Sequence, residues 1–328
     1  MADIDKLVDA IKKKQCILFL GAGINKRPPD GEVHQYTFDK DDELPDAATL
    51  CKELISKSGL EFPSYIETDN LQRVSQYINV EQPNRFELNH WLADILNCQQ
   101  RPSPLLKALA ELDFPLTITT NYDRLFEKAI IESKKIPEEN TDIIHKSSNH
   151  KQYKDKSDRN TLLNVIVYSK NNDDETPKYV KPNSNNPKTQ YPTLFKMHGD
   201  LCLEGEARGN DSAVISDEDY IDFIMRMTSL KNYPIPQGIL DLFYEMPIIF
   251  IGYSLRDYNF RLLMKILHKD KNSYPMRYSL DPRPDELIKR IFMKSYNTIF
   301  FIENAWKTIP EIYKRVKDAE MPDYYGKA

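Results

Sequence analysis

The sequence predicts a mixed α/β protein: a mostly parallel sheet of about six strands, with a smaller, largely helical module inserted. Three observations carry this. Short runs such as Cys16-Ile-Leu-Phe-Leu20 and Pro247-Ile-Ile-Phe-Ile251 are apolar at nearly every position, the pattern of strands buried on both faces. Between such runs lie segments with apolar residues three and four apart, the period of amphipathic helices. The chain also has only 10 glycines in 328 residues, and Gly21, Gly199 and Gly252 each fall at or just past the carboxyl end of an apolar run.

Taken in order, residues 3–14 place Ile4, Leu7, Val8 and Ile11 on one helical face, and residues 16–20 form the first strand. A polar stretch over 25–46 follows, with Pro28-Pro29-Asp30-Gly31 as a turn signal. Residues 47–112 show helical patterns (48–58, 66–78, 84–97, 104–111) and no convincing strand, so they read as the helical insert. Residues 115–119 are the next strand, followed by a helix over 122–133 with Leu125, Ala129 and Ile130 on one face. Residues 134–190 read as a polar surface excursion rich in Lys, Asn and Asp, with a strand-like interlude at 162–168. Strands at 193–197, 247–251, 275–279 and 297–302 then alternate with helices at 217–228, 236–245, 255–268, 284–293 and 308–318. That alternation is the signature of a doubly wound sheet, and the whole chain, 1–328, reads as a single domain.

Composition narrows the function classes. With 45 Lys plus Arg against 50 Asp plus Glu, the formal charge is −5, which argues against direct nucleic-acid binding by the isolated chain. No apolar run approaches the ~20 residues of a membrane helix, and the N-terminus is charged from Asp3, so a cytoplasmic protein is expected. Cys16, Cys51, Cys98 and Cys202 form no C-x-x-C pair, so no zinc knuckle, and no metal site, is expected.

In open parallel sheets, ligands bind outside the carboxyl ends of the strands. The polar residues there are Asn25 after the first strand, Asn121 and Asp123 after the second, His198 at the end of another and Ser254 after Gly252. Each has a plainer reading. Gly21-Ala22-Gly23 lacks the third glycine of the dinucleotide fingerprint, and glycine also serves any tight turn. Thr120 to Asp123 and Ser254 to Asp257 have capping-box spacing, so helix capping accounts for Asp123, Ser254 and Asp257. Capping does not account for Asn121. Gly252-Tyr253-Ser254 lacks the second glycine of a nucleophile elbow, and the chain has no P-loop, which sets aside serine hydrolases and P-loop ATPases.

Four segments in this order resemble the sirtuin family: Phe19-Leu-Gly-Ala-Gly-Ile-Asn25, Ile118-Thr-Thr-Asn-Tyr-Asp123, Lys196-Met-His-Gly-Asp200 and Ile251-Gly-Tyr-Ser-Leu255. The chain is most similar to the bacterial sirtuin-like NAD hydrolases of antiphage defence, whose fourth motif continues with an acidic residue and Asn, as Asp257-Tyr258-Asn259 does here. The resemblance implies a Rossmann-like sheet with NAD bound as substrate between sheet and helical module. Asn121 and His198 would be catalytic, with Asp123 in support. Gly21, Ala22, Gly23, Asn25, Thr120, Gly252, Ser254 and Asp257 would contact the dinucleotide, and Asp281 is a candidate for the adenosine ribose. It also implies a homo-oligomer, or a separate sensor such as a HerA-type ATPase, as the means of activation. Two departures count against protein deacylation: the two C-x-x-C pairs of deacylating sirtuins are absent, and Lys26-Arg27-Pro28-Pro29 replaces their Pro-Asp-Phe-Arg segment. The alternatives are a non-catalytic NAD or ADP-ribose-binding regulatory subunit of an ATPase complex, and a zinc-free deacylase or ADP-ribosyltransferase. A plain interaction subunit of a nucleic-acid-processing complex is a further one.

Overall fold

The structure, a computed structural model, describes residues 2–28, 36–38, 42–82, 85–96, 100–136, 140–147, 150–157, 159–168, 192–201, 213–228, 235–267 and 275–326. Cys98, Cys202 and residues 169–191 of the expected excursion lie outside them.

The central strands are β1 (Ile17–Leu20) and β2 (Leu116–Thr119). The excursion supplies β3 (Thr141–Ser147), β4 (His150–Asp155) and β5 (Thr161–Val167). Then come β6 (Thr193–Lys196), β7 (Ile248–Ile251), β8 (Arg277–Leu280) and β9 (Thr298–Phe301). Among the described residues they form one nine-stranded sheet in the order β3-β4-β5-β6-β2-β1-β7-β8-β9. The run from β5 to β9 is parallel, and β3 and β4 are antiparallel.

Six of the expected strands form the contiguous run β6-β2-β1-β7-β8-β9, the doubly wound arrangement whose order reverses between β1 and β7. The sheet is wider than the six strands expected. β5, β4 and β3 continue it past β6, with β3 as the exposed edge strand. Gln152 and Tyr153 of β4 and the apolar run of β5 are buried there.

Both faces are covered, which explains the continuous apolar runs. Leu18 and Leu20 face a layer containing α1 (Ala2–Lys12), α5 (Pro104–Glu111), α6 (Leu125–Ser133) and α11 (Ala305–Lys317). Ile17 and Phe19 face α7 (Asp217–Thr228), α8 (Gln237–Glu245), α9 (Tyr258–Leu267) and α10 (Glu286–Ser295). A third core joins α2 (Ala47–Ser58), α3 (Leu71–Glu81) and α4 (Arg85–Leu96) to Leu201, Ala213 and Ile215. The helical module is thus α2 to α4. The last helix of the expected 47–112 insert, α5, packs on the sheet, because Leu105, Leu106 and Leu109 join the first layer.

Capping sets several boundaries. Asn70 accepts from the N–H groups of Gln72 and Arg73, so α3 starts at Leu71 rather than at 66. Asn304 accepts from Trp306 N–H at 3.0 Å, so α11 starts at Ala305 rather than at 308. Past α11 the chain returns to the stretch that follows β1. Asp323 accepts from Thr37 N–H at 2.9 Å, and Trp306 of α11 donates from Nε1–H to the Lys26 carbonyl at 3.0 Å; the same stretch is also held by Arg101, just ahead of α5, whose Nε–H donates to Asp42 at 3.0 Å.

The turns after β1 and β7 interlock. Gly21 N–H donates to the Ile251 carbonyl at 3.0 Å and Gly23 N–H to the Gly252 carbonyl at 2.9 Å. A Cβ on Gly21 or Gly252 would collide with backbone of the facing turn, and Gly252 also has φ +68°. Gly59 has a similar φ of +64° but open space around its missing Cβ. Gly59→Ala is therefore expected to cost about 1 kcal/mol for the left-handed backbone alone. Gly252→Ala is expected to cost more than about 2 kcal/mol, because the clash adds to it. Urea unfolding of both variants checks this, and equal losses would mean that the close approach is not the constraint.

Candidate functional site

The sequence-predicted residues lie along one carboxyl edge, set by the lateral order β6-β2-β1-β7-β8. His198 follows β6, Thr120 to Asp123 follow β2, and Gly21 to Asn25 follow β1. Gly252 to Asp257 follow β7, and Asp281 follows β8.

The turns after β1 and β2 are joined directly. Thr119 Oγ1 donates to the Leu20 carbonyl at 3.2 Å and accepts from Asn121 N–H at 3.0 Å. Asn25, buried, donates from Nδ2 to Asp123 Oδ2 at 3.5 Å. The other carboxylate oxygen of Asp123 accepts from Leu125 N–H at 2.9 Å and caps α6. Burial raises the Asp123 carboxyl above its usual pKa, with Lys196 pulling the other way. The turn after β2 is also tied to the loop after β6: Tyr122 O–H donates to the Val214 carbonyl at 2.6 Å, and Val214 N–H to the His198 carbonyl at 3.0 Å.

Within this frame, Asn25 Oδ1, Asn121 Oδ1 and His198 Nε2 are buried polar atoms with no hydrogen-bond partner. Buried polar groups are ordinarily satisfied, so the two amide oxygens, at neighbouring strand ends, mark a place where an external partner belongs, while His198 Nε2 faces a carboxylate of the chain itself. Burial lowers the His198 pKa, and the Asp257 carboxylate, whose Oδ2 lies 3.7 Å from Nε2, opposes that shift. Asp257 is thus drawn toward the histidine rather than toward the glycine turn. Ala22 and Ser254 are exposed at the edge. Asp281 accepts from Arg283 N–H at 2.9 Å and closes its own turn.

Behind the Asn121 turn lies a buried ion cluster. Glu127 on α6 pairs with Lys151 of β4 at 2.9 Å and Lys196 of β6 at 3.3 Å. Asp200 pairs with Lys196 at 3.3 Å and with Lys151 and Arg124 at 3.4 Å. Tyr153 O–H donates to Glu127 at 2.6 Å, and Lys196 Nζ donates to the Asp123 carbonyl at 2.6 Å. Burial pushes the Glu127 carboxyl up, but the ammonium groups of Lys151 and Lys196 outweigh it and hold the pKa below its ordinary value. Sequence reasoning did not assign these residues. Lys196 and Asp200 flank His198 in the third of the four sirtuin-like segments, but Glu127 and Lys151 carry no local signal of burial.

A cleft of about 690 Å³ opens between α3, α7 and the start of α9, with Gln72, Tyr220, Ile221, Asp257 and Tyr258 among its lining residues. Asp257 is where it meets the predicted site. Among the described residues no group of His, Cys, Asp and Glu could hold a metal ion, and no helix is long and apolar enough to cross a membrane.

Residues 115–301, more than half of the chain, match the SIR2-like domain family. The chain belongs to the SIR2-like domain family. The matched segment runs from β2 to β9 and holds both Asn121 and His198. This SIR2-like chain is 24% identical over 258 residues to the NAD(+) hydrolase ThsA of Acinetobacter baumannii (strain 532279), covering 78% of this chain and 40% of that protein. It is 23% identical over 288 residues to the NAD(+) hydrolase ThsA of Bacillus cereus (strain MSX-D12), covering 83% of this chain and 50% of that protein. A shorter stretch of 99 residues is 31% identical to defense-associated sirtuin 2 of Bacillus subtilis, covering 28% of this chain and 9% of that protein. The SIR2-like chain thus spans half or less of the length of these relatives.

The ion cluster makes a stability prediction. Lys151→Met leaves Glu127 and Asp200 short of a buried counter-charge and should lower unfolding free energy by about 3 kcal/mol. Lys156→Met, whose lysine pairs with Asp142 at 3.9 Å on the surface, should be near neutral. Chemical denaturation of the two variants side by side checks this; similar midpoints would show that the excursion is not coupled to the site.

Proposed function

We propose that this chain hydrolyses NAD at the nicotinamide–ribose bond, releasing nicotinamide and ADP-ribose. The observation that carries the reading is the unsatisfied, buried Asn121 Oδ1 in the turn after β2, together with the buried imidazole of His198 in the loop after the adjacent strand β6 of a SIR2-like sheet. The similarity to proteins named NAD(+) hydrolases supports the choice of substrate.

The chemistry asks little of the protein beyond placement. Nicotinamide leaves as a neutral molecule when the C1′–N bond breaks, and the transition state is oxocarbenium-like, as in glycoside hydrolysis generally. Water forms the new bond to C1′ and gives up a proton. Asn121 both donates and accepts, so it orients the ribose or the attacking water. His198, kept neutral by burial, takes the proton. The supporting role of Asp123 is to fix the Asn121 turn through α6 and Asn25.

The dinucleotide would run along the carboxyl edge. Gly21 and Gly23 N–H groups are already engaged by β7, so their part is to let the turns close up, and the pyrophosphate would meet the exposed Ala22. Thr120, Gly252 and Ser254 would border it, with Asp281 at the adenosine end. Uncontrolled NAD loss harms the cell that makes the enzyme. We therefore assign control to assembly, either among copies of the chain or on a separate ring-forming ATPase of HerA type, and the biological role to antiphage defence in the cytoplasm.

Asn121→Ala and His198→Ala should each lower nicotinamide release by at least about 10²-fold with unfolding midpoints close to the parent. Chromatographic quantification of nicotinamide, with the chain alone and with such an ATPase added, checks this. Parental rates in both variants would remove these residues from the reaction. NAD binding with no release under either condition would favour a regulatory NAD-binding subunit.

A further inference from the structure

Asp257 does two things at once. Immediately before α9, its Oδ1 accepts from Phe260 N–H at 3.3 Å, which is the capping role legible in the sequence. Its Oδ2 faces His198 Nε2 at 3.7 Å, which capping does not require. The His198 side chain is 3% exposed and that of Asp257 14%, so the carboxylate, not the imidazole, reaches solvent. It does so in the cleft between α3, α7 and α9.

Aromatic rings and already paired charges surround this pair. From α7, the rings of Tyr220 and Phe223 stand edge-on to the imidazole at 5.4 and 6.1 Å. Burial holds the Tyr220, Tyr122 and Tyr253 hydroxyls above their usual pKa, so they stay neutral. Asp219 of α7 is paired with Arg85 at 2.7 Å, and Arg256 lies 3.5 Å from Asp285.

Hydrolysis of NAD by water yields nicotinamide, ADP-ribose and one proton, and that proton must leave a buried imidazole. We propose that Asp257 is a positioning residue for His198: it orients the imidazole through Nε2 and passes the released proton to the solvent of the cleft. The inference rests on the hydrolase reading above. His198 accepts the proton of the attacking water at one ring nitrogen, the Nε2 proton moves to Asp257 Oδ2, and water in the cleft removes it. At 3.7 Å the pair is longer than a hydrogen bond, and the transfer requires it to close by about 1 Å in the substrate complex.

Asp257→Asn keeps the oxygen that caps α9 and removes the charge. Asp257→Ser keeps a capping oxygen without reaching the imidazole. Two measurements on the intact chain are compared: the pH–rate profile of nicotinamide release and the NMR titration of the His198 ring. In both variants kcat should fall about 10²-fold. KM for NAD should stay within about twofold of the parent. Loss of the counter-charge disfavours the imidazolium, so the His198 titration and the acidic limb of the rate profile both move to lower pH. A role confined to capping would alter the unfolding midpoint and leave both pH midpoints in place. A His198 titration unmoved in both variants overturns the inference, whatever happens to activity. If the parent releases no nicotinamide, the hydrolase reading fails by itself, and the His198 titration alone then decides the pairing.

Discussion

The site depends on a set of charges taken out of water. Lys196 is fully buried and Lys151 nearly so, and removing an ammonium from water costs several kcal/mol unless oxygen atoms replace the hydration shell. Here Glu127, Asp200 and the Asp123 carbonyl supply those atoms, from α6, the loop after β6 and the turn after β2. The arrangement holds only if all these elements are in place together. It therefore locks the Asn121 turn to the strand that carries His198, and both to the β3–β5 excursion. A hydrophobic cluster could supply similar stability, but it would not fix the Asp123 carbonyl of that turn through a directed hydrogen bond.

The second constraint lies at the point where strand order reverses. There the turns after β1 and β7 approach so closely that no Cβ fits on Gly21 or Gly252. Such a crevice is where open α/β sheets receive ligands. In this chain the glycines serve the fit of protein to protein first, since two of their N–H groups are bound across the junction. The rim of that junction, at Ala22 and Ser254, is exposed, while its interior is closed by protein.

Much of this was legible in the sequence, for a physical reason. A strand covered on both faces must be apolar at each position, so β1 and β7 stand out, and the residues that follow them inherit a predicted place at the carboxyl edge. Asn121 and His198 were placed at that edge by the strands read at 115–119 and 193–197. Of the excursion strands only β5 was legible, as the strand-like run at 162–168; β3 and β4 were not. β4 reads His-Lys-Gln-Tyr-Lys-Asp and sheds no hydrophobic signal, because Lys151 is buried by virtue of acids far away in sequence, at 127 and 200. Asp257 was legible as a cap and not as a neighbour of His198, because capping is a local relation and the approach to β6 is not. Local chemistry was readable; partnerships between distant charges were not.

The contacts between the C-terminal segment and residues after β1 bear on the order of folding. Trp306 holds Lys26 and Asp323 holds Thr37, joining residues 280 and 286 positions apart. The entropy of closing so long a loop is lost before such contacts return anything. This seam therefore closes late, once the sheet has brought the two ends of the chain together.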